Sequence, residues 1–281
     1  MVRLIAEHKS AVLAALVPPP STLRWNERYT VLTFEWSIGR RPWRLARLIA
    51  PGFPHHVTQR GNRRAPVFFE EADYALYRDL LAKRCRKASV ACWAYCLMPN
   101  HVHLILVPAS VDGLARAIGE THRQYTGFVN ARARWTGHLF QGRFSSVVLD
   151  EEHLMLAARY VALNPVRAQL AKQPQDWAWS SLRAHLDGRD DGLVTVAPLL
   201  ERLGGVTALI DTGPEEVALT RLRAAEATGR PLGSDDFVTR LEDLMQRRLR
   251  RQKPGRKTNA PESAGDLFAG TGDGPTLSSS M

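Results

Sequence analysis

The chain has 281 residues, 44% of them apolar, a length that fits one or two domains with a real core. A formal charge of +10 and a pI near 10 favour polyanionic partners, nucleic acid first. Three cysteines with no C-x-x-C pair argue against a disulfide framework or a four-cysteine zinc site and fit a reducing cytoplasm, and no apolar run approaches the roughly 20 residues of a membrane span.

Residues 1–42 show no sustained periodicity and read as an extension. "AVLAALV" (11–17) follows Lys9, but it is short, runs into "PPP" and lacks a clear cleavage site, so it is not read as a signal peptide. "PHHVTQRG" (54–61) predicts a short strand leading into a Gly-Asn turn with arginines. Residues 70–88 place Tyr74, Tyr77, Leu80, Leu81 and Cys85 at helical spacing, acidic residues first and basic ones last, as a helix dipole prefers. "SVACWAYCLM" (89–98) is rich in strand formers, Pro99-Asn100 is a turn signal, and "HVHLILV" returns antiparallel beside it. An amphipathic helix follows over 113–135, with Leu114, Ile118, Tyr125 and Val129 in its stripe. After the basic loop "GHLFQGRF", "SSVVLD" (145–150) predicts a strand. Asp150 then caps a helix that Pro165 is expected to stop.

Strand, helix, strand, strand, helix, strand, helix is the order of a split β-α-β unit. The expected class is α+β: a ferredoxin-like antiparallel sheet with helices on one side, then a small helical C-terminal region and a disordered tail. The boundaries read as 1–42 extension, 43–186 catalytic domain, 187–250 helical accessory region and 251–281 basic, then disordered tail. "RPLGSDDFVTRLEDLM" is compatible with half of a helix-turn-helix.

The motif "LMPNHVHLILV" (97–107) puts two imidazoles on one strand face, because His101 and His103 are two residues apart. Imidazole is a common ligand for divalent metals, although histidines on a strand are more often structural. Val102, Leu104 and Leu106 fill the other face, which makes the strand central and places the pair at one end of it. Tyr160 and Asn164 are four apart and share a helix face. Asn164 offers an amide oxygen as a third ligand or, more blandly, a cap before Pro165. A phenol, an open metal and a basic surface together suggest phosphodiester chemistry. Arg60, Arg63, Arg64 and Arg143 are the candidate DNA contacts, to be weighed against simple solvation. Trp135 and Phe140 are candidates for base stacking or for the core.

"YCLMPNHVHLILVP", "RYVALNPVRAQL" and "WAWSSLRAHL", supported by "PHHVTQRGNRR", "FQGRF" and "GRPLGSDDF", resemble the insertion-sequence-200-like transposases. These are single-tyrosine members of the His-hydrophobic-His (HUH) endonucleases, and the nearest branch is the REP-associated tyrosine transposases. The resemblance covers roughly 43–186. It implies Mg²⁺ or Mn²⁺ on His101 and His103, a third ligand at Asn164, and Tyr160 as the nucleophile that forms a 5′-phosphotyrosine with single-stranded or hairpin DNA of REP-like palindromes. Tyr125 does not match the family tyrosine. Residues 1–42 have no counterpart in the family pattern, so an overlong start is expected there. The implied protein is a monomer or homodimer in the cytoplasm, associated with the nucleoid, with no membrane partner. Two other readings compete: a domesticated regulator that binds DNA hairpins without cutting, and a metal-dependent RNA-processing protein.

Overall fold

The computed structural model describes residues 47–210 and 216–250; the extension 1–42 and the tail 251–281 lie outside the described residues. Strands β1 (His55–Arg60), β2 (Val90–Met98), β3 (His101–Pro108) and β4 (Ser145–Val148) form one sheet in the order β2-β3-β1-β4. All three pairings are antiparallel. Helix α1 (Glu71–Lys87) joins β1 to β2, and α2 (Gly113–Ala133) joins β3 to β4. This is the expected α+β, ferredoxin-like arrangement.

Helix α1 starts at a capping box. The Glu70 and Asp73 side chains reciprocally accept from each other's backbone N–H groups, and Arg84, Arg86 and Lys87 sit in the last turn, where the helix dipole favours cations. Its buried stripe of Tyr74, Tyr77, Leu81 and Cys85 meets Leu114, Ile118, Tyr125 and Val129 of α2 on the sheet face made by Val57, Tyr95, Leu97, Val102, Leu104 and Leu106. Asp73 is fully buried, and Arg132 of α2 grips it with two hydrogen bonds of 2.7 and 2.8 Å, tying the two helices together.

The placement of helices on one side holds for α1 and α2 but not for α3 (Glu151–Arg167), which packs on the opposite face against Ala94, Cys96, Met98, Ile105 and Val147. The reason lies in β3: its side chains alternate between faces, and both sets are apolar enough to need cover. Leu182 of α4 (Leu182–Asp187), Leu199 of α5 (Ala197–Leu203) and Leu219 and Leu222 of α6 (Glu216–Thr228) complete this second layer. Helix α7 (Asp235–Met245) is capped by Ser234 and contributes Phe237 and Leu241 to a smaller cluster with Leu48, Val148 and Leu249.

Asp150 caps α3 as expected, its carboxylate accepting from the His153 N–H at 2.9 Å. Pro165 does not stop the helix. It lies inside α3, which runs on to Arg167 and ends at Ala168, so Asn164 is not the cap. A proline costs one backbone bond; here the last turn is held by Ala168 N–H to Asn164 O and Leu170 N–H to Pro165 O, both 2.9 Å.

Both sheet edges are occupied. Beyond β2, Leu97 N–H donates to Trp179 O, Ser181 N–H to Tyr95 O and Thr195 N–H to Cys92 O. Beyond β4, Leu232 N–H donates to Val148 O and Asp150 N–H to Leu232 O. Among the described residues no helix is long and apolar enough to cross a membrane.

Candidate active site

Paired residues of a ladder share a sheet face. Thr58 lies opposite His103 and Arg60 opposite His101. The face beneath α3 therefore carries His101 and His103 from β3 together with His56, Thr58 and Arg60 from β1. His56 is the diagonal neighbour of His103: its Nε2 is 3.1 Å from His103 Nδ1, and the two rings are nearly parallel, at 9°. The His101 ring stands edge-on to His103 with centroids 4.9 Å apart. His101 Nδ1 is 2.6 Å from Asn100 Oδ1. An amide oxygen only accepts, so Nδ1 carries the proton and Nε2 keeps its lone pair.

Helix α3 lays Tyr160 over this pair. The phenol ring is edge-on to His103 at 5.1 Å and to His56 at 6.1 Å. Asn164 is one turn further along, buried, and its amide nitrogen has no hydrogen-bond partner. The structure thus gathers His101, His103 and Tyr160 and sets Asn164 on the same helix face as the tyrosine.

Sequence reasoning missed three members of the site. His56 was legible in principle, since it precedes Thr58 and Arg60 at strand spacing in "HHVTQR". Arg223 and Glu226 come from α6, more than sixty residues after Tyr160 in the chain, and no local pattern announces them. Glu226 Oε1 lies 3.3 Å from His56 Nδ1, and Arg223 is close enough to Tyr160 for its charge to act on the phenol. His56, His103 and Glu226 offer ligand atoms that all lie within 4.8 Å of one another. This set shares only His103 with the expected trio His101, His103 and Asn164.

Burial pushes His56 down to about 3 and His101 to about 3, the latter helped by the charge of Arg60. Burial holds His103 well below the usual imidazole range, with His101 and His56 adding to the effect. All three imidazoles are therefore neutral near pH 7, the form that donates a lone pair to a metal. Burial raises Tyr160, as does the nearby Glu226, while Arg223 and Arg60 oppose the rise. Burial lifts Glu226 to about 7 against the pull of Arg60 and Arg223.

Arg60 is half-buried beside the histidines, whereas Arg63, Arg64 and Arg143 are exposed. Arg63 and Arg64 both adopt positive φ, 53° and 63°. Their loop is fastened to the β2–β3 turn by Gly61 N–H to Asn100 O at 2.8 Å and by Asn100 Nδ2 to Arg64 O at 3.1 Å. Gln141 N–H donates to Arg60 O, which brings the Arg143 loop to the same end of the sheet. Trp135 is half-exposed and edge-on to Phe69. Phe140 is buried against His122, Tyr77 and Tyr125, and so belongs to the core.

No curated protein sequence matches the chain. Among solved structures, a REP-associated tyrosine transposase bound to a REP hairpin is 22% identical, with a TM-score of 0.44, covering 54% of this chain and 87% of that one. A putative transposase from Deinococcus radiodurans R1 is 20% identical, with a TM-score of 0.31, covering 44% of this chain and 95% of that one. Residues 52–164 match the family model described as "Transposase IS200 like". That span contains His56, His101, His103, Tyr160 and Asn164, and this part of the chain is similar to the insertion-sequence-200-like transposases.

Proposed function

We propose that this protein is an insertion-sequence-200-like transposase, a metal-dependent, single-tyrosine DNA endonuclease and strand transferase of the REP-associated branch, acting on single-stranded or hairpin DNA with REP-like palindromes. The observation that carries this reading is the Tyr160 phenol held edge-on against a neutral histidine pair, within the electrostatic reach of Arg60 and Arg223.

The donors fit a divalent cation. Two neutral imidazoles, a buried amide without a partner for its nitrogen and a nearby carboxylate form a mixed nitrogen and oxygen set suited to Mn²⁺, with Mg²⁺ the harder alternative. His101, His103 and Asn164 would hold it, and a bound cation would polarise the scissile phosphate. The chain's own residues do the rest. Arg60 and Arg223 lower the cost of negative charge on the Tyr160 oxygen. That oxygen attacks phosphorus, a Tyr–O–P bond forms, the bond from phosphorus to the 3′ oxygen breaks, and the phenol proton is balanced by the proton taken up on the departing 3′ hydroxyl. Attack by a 3′ hydroxyl in reverse restores the phenol and rejoins the strand without ATP. Arg63, Arg64 and Arg143 contact phosphates and give affinity without sequence information. Trp135, exposed at the end of α2, stacks an unpaired base.

A nicking assay on hairpin DNA, with single-stranded DNA, duplex DNA and RNA in parallel and with or without Mn²⁺, tests the reading. A Mn²⁺-dependent nick with protein attached to the 5′ side of single-stranded or hairpin DNA is expected. Tight hairpin binding with no nick under any metal would make the protein a non-cleaving regulator, and cleavage confined to RNA would make it an RNA-processing enzyme.

A further inference from the structure

We infer that Glu226 and His56 are positioning residues that fix the tautomer of His103 and so present its Nε2 lone pair; the inference rests on His103 being a metal ligand. The decisive quantity is where the protons sit. A neutral imidazole carries one proton on two nitrogens, and which nitrogen bears it follows from the partner of each. His56 Nε2 faces His103 Nδ1 at 3.1 Å, so a single proton lies between them. It belongs to one ring or the other. His56 Nδ1 faces Glu226 Oε1 at 3.3 Å, an ion-pair distance, and neither atom has a hydrogen-bond partner that would otherwise fix its protonation.

An ionised carboxylate only accepts. If His56 carried its proton on Nε2, its Nδ1 lone pair would point at a negative oxygen inside a buried site. With the proton on Nδ1, that repulsion becomes an attraction. His56 Nε2 must then accept, which requires His103 to donate from Nδ1, and the only lone pair left on the His103 ring is on Nε2. The chain Glu226–His56–His103 thus acts as the carboxylate–histidine support that metal-binding histidines commonly have, extended by one imidazole. Glu226 lies on α6, outside the matched transposase segment of residues 52–164. The accessory helices therefore complete the site rather than merely follow it.

The full chain, labelled with ¹⁵N-histidine and free of metal, is compared with Glu226→Ala and Glu226→Gln at pH 8.5, with thermal melts as a check on folding. Long-range ¹H–¹⁵N spectra read the tautomers, and calorimetry reads Mn²⁺ affinity. Both His56 and His103 should be protonated on Nδ1 in the parent. Glu226→Ala should move both protons to Nε2 and weaken Mn²⁺ binding by ~10–100-fold. Glu226→Gln, whose amide oxygen still accepts, should restore the parent tautomers and affinity. A parent His103 protonated on Nε2 overturns the inference. A loss of Mn²⁺ in Glu226→Gln as large as in Glu226→Ala also overturns it, because the carboxylate would then be a ligand itself. The parent tautomers as stated, with Mn²⁺ affinity unchanged in His101→Ala/His103→Ala, uphold the relay and reject the metal assignment instead.

Discussion

Tyr160 stands edge-on to His103, ring centroids 5.1 Å apart and planes at 82°, so the phenol edge is held by the imidazole that the metal reading makes a ligand. Tyr160→Phe keeps this ring pairing and removes one oxygen near Arg223. DNA binding and melting temperature should change little, while the covalent adduct on a denaturing gel should vanish. An adduct in that variant would reject Tyr160 as nucleophile.

Arg132→Ala should destabilise the fold by roughly 3 kcal/mol, the low end for breaking a buried ion pair, because Arg132 keeps some solvent access while Asp73 has none. Urea unfolding would show it as a lowered midpoint. Asp73 also accepts from the Phe69 N–H at the start of α1, so Asp73→Ala should cost more than Arg132→Ala.

Gly61 should not tolerate a side chain. An added Cβ would lie 2.1 Å from the Ala65 carbonyl oxygen and 2.9 Å from Val67. The Ala65 oxygen is backbone, so the loop must move. Gly61→Ala should weaken hairpin affinity by displacing Arg63 and Arg64, and a gel-shift titration against the parent would detect it. An unchanged affinity would place DNA elsewhere.

Stability should fall with acid in a window set by buried imidazoles. Burial holds His122 to about 3, its Nε2 2.9 Å from the Tyr77 hydroxyl. In the unfolded chain the same group takes up a proton near 6.5. Below 6.5 the unfolded state therefore binds more protons than the folded one, and the destabilisation grows as pH falls from 6.5 towards 3. Above 6.5 His122 contributes no pH slope. His122→Gln, which can still bond Tyr77, should flatten the curve of melting temperature against pH within that window and leave it unchanged at pH 8.

The basic segment straddles the end of the described residues, and Leu249 belongs to the cluster with Phe237 and Leu241. A clean truncation therefore falls after Arg250. It removes Arg251, Lys253, Arg256 and Lys257. Each phosphate that the shortened chain no longer neutralises on single-stranded DNA should flatten log K against log salt by roughly 0.7, for all sequences alike, with nicking retained. Loss of preference for one hairpin at an unchanged salt slope would mean that the tail reads sequence.

The sheet and its first two helices were legible because each rests on a local period: two for "HVHLILV", three to four for the stripes of Tyr74 and Leu114. His101, His103 and Tyr160 could be picked out for the same reason, their spacing placing them on known faces. The second helical layer was harder to read. Nothing local says that β3 buries both faces against different helices, and Pro165 reads as a stop when tertiary packing carries the helix past it. Glu226 and Arg223 were invisible, since their meeting with His56 and Tyr160 depends on how α6 docks, which is a property of the whole chain.

The segments that occupy the two outer strands have a consequence for assembly. An open sheet edge invites a strand from another molecule. Here the backbone groups beyond β2 are taken by Trp179, Ser181 and Thr195, and those beyond β4 by Leu232. A second copy seeking to lengthen the sheet at these groups would have to peel one of these segments away first, so among the described residues these groups are not free to start a shared ladder. The same closure guards the fold against the edge-to-edge stacking that begins aggregation.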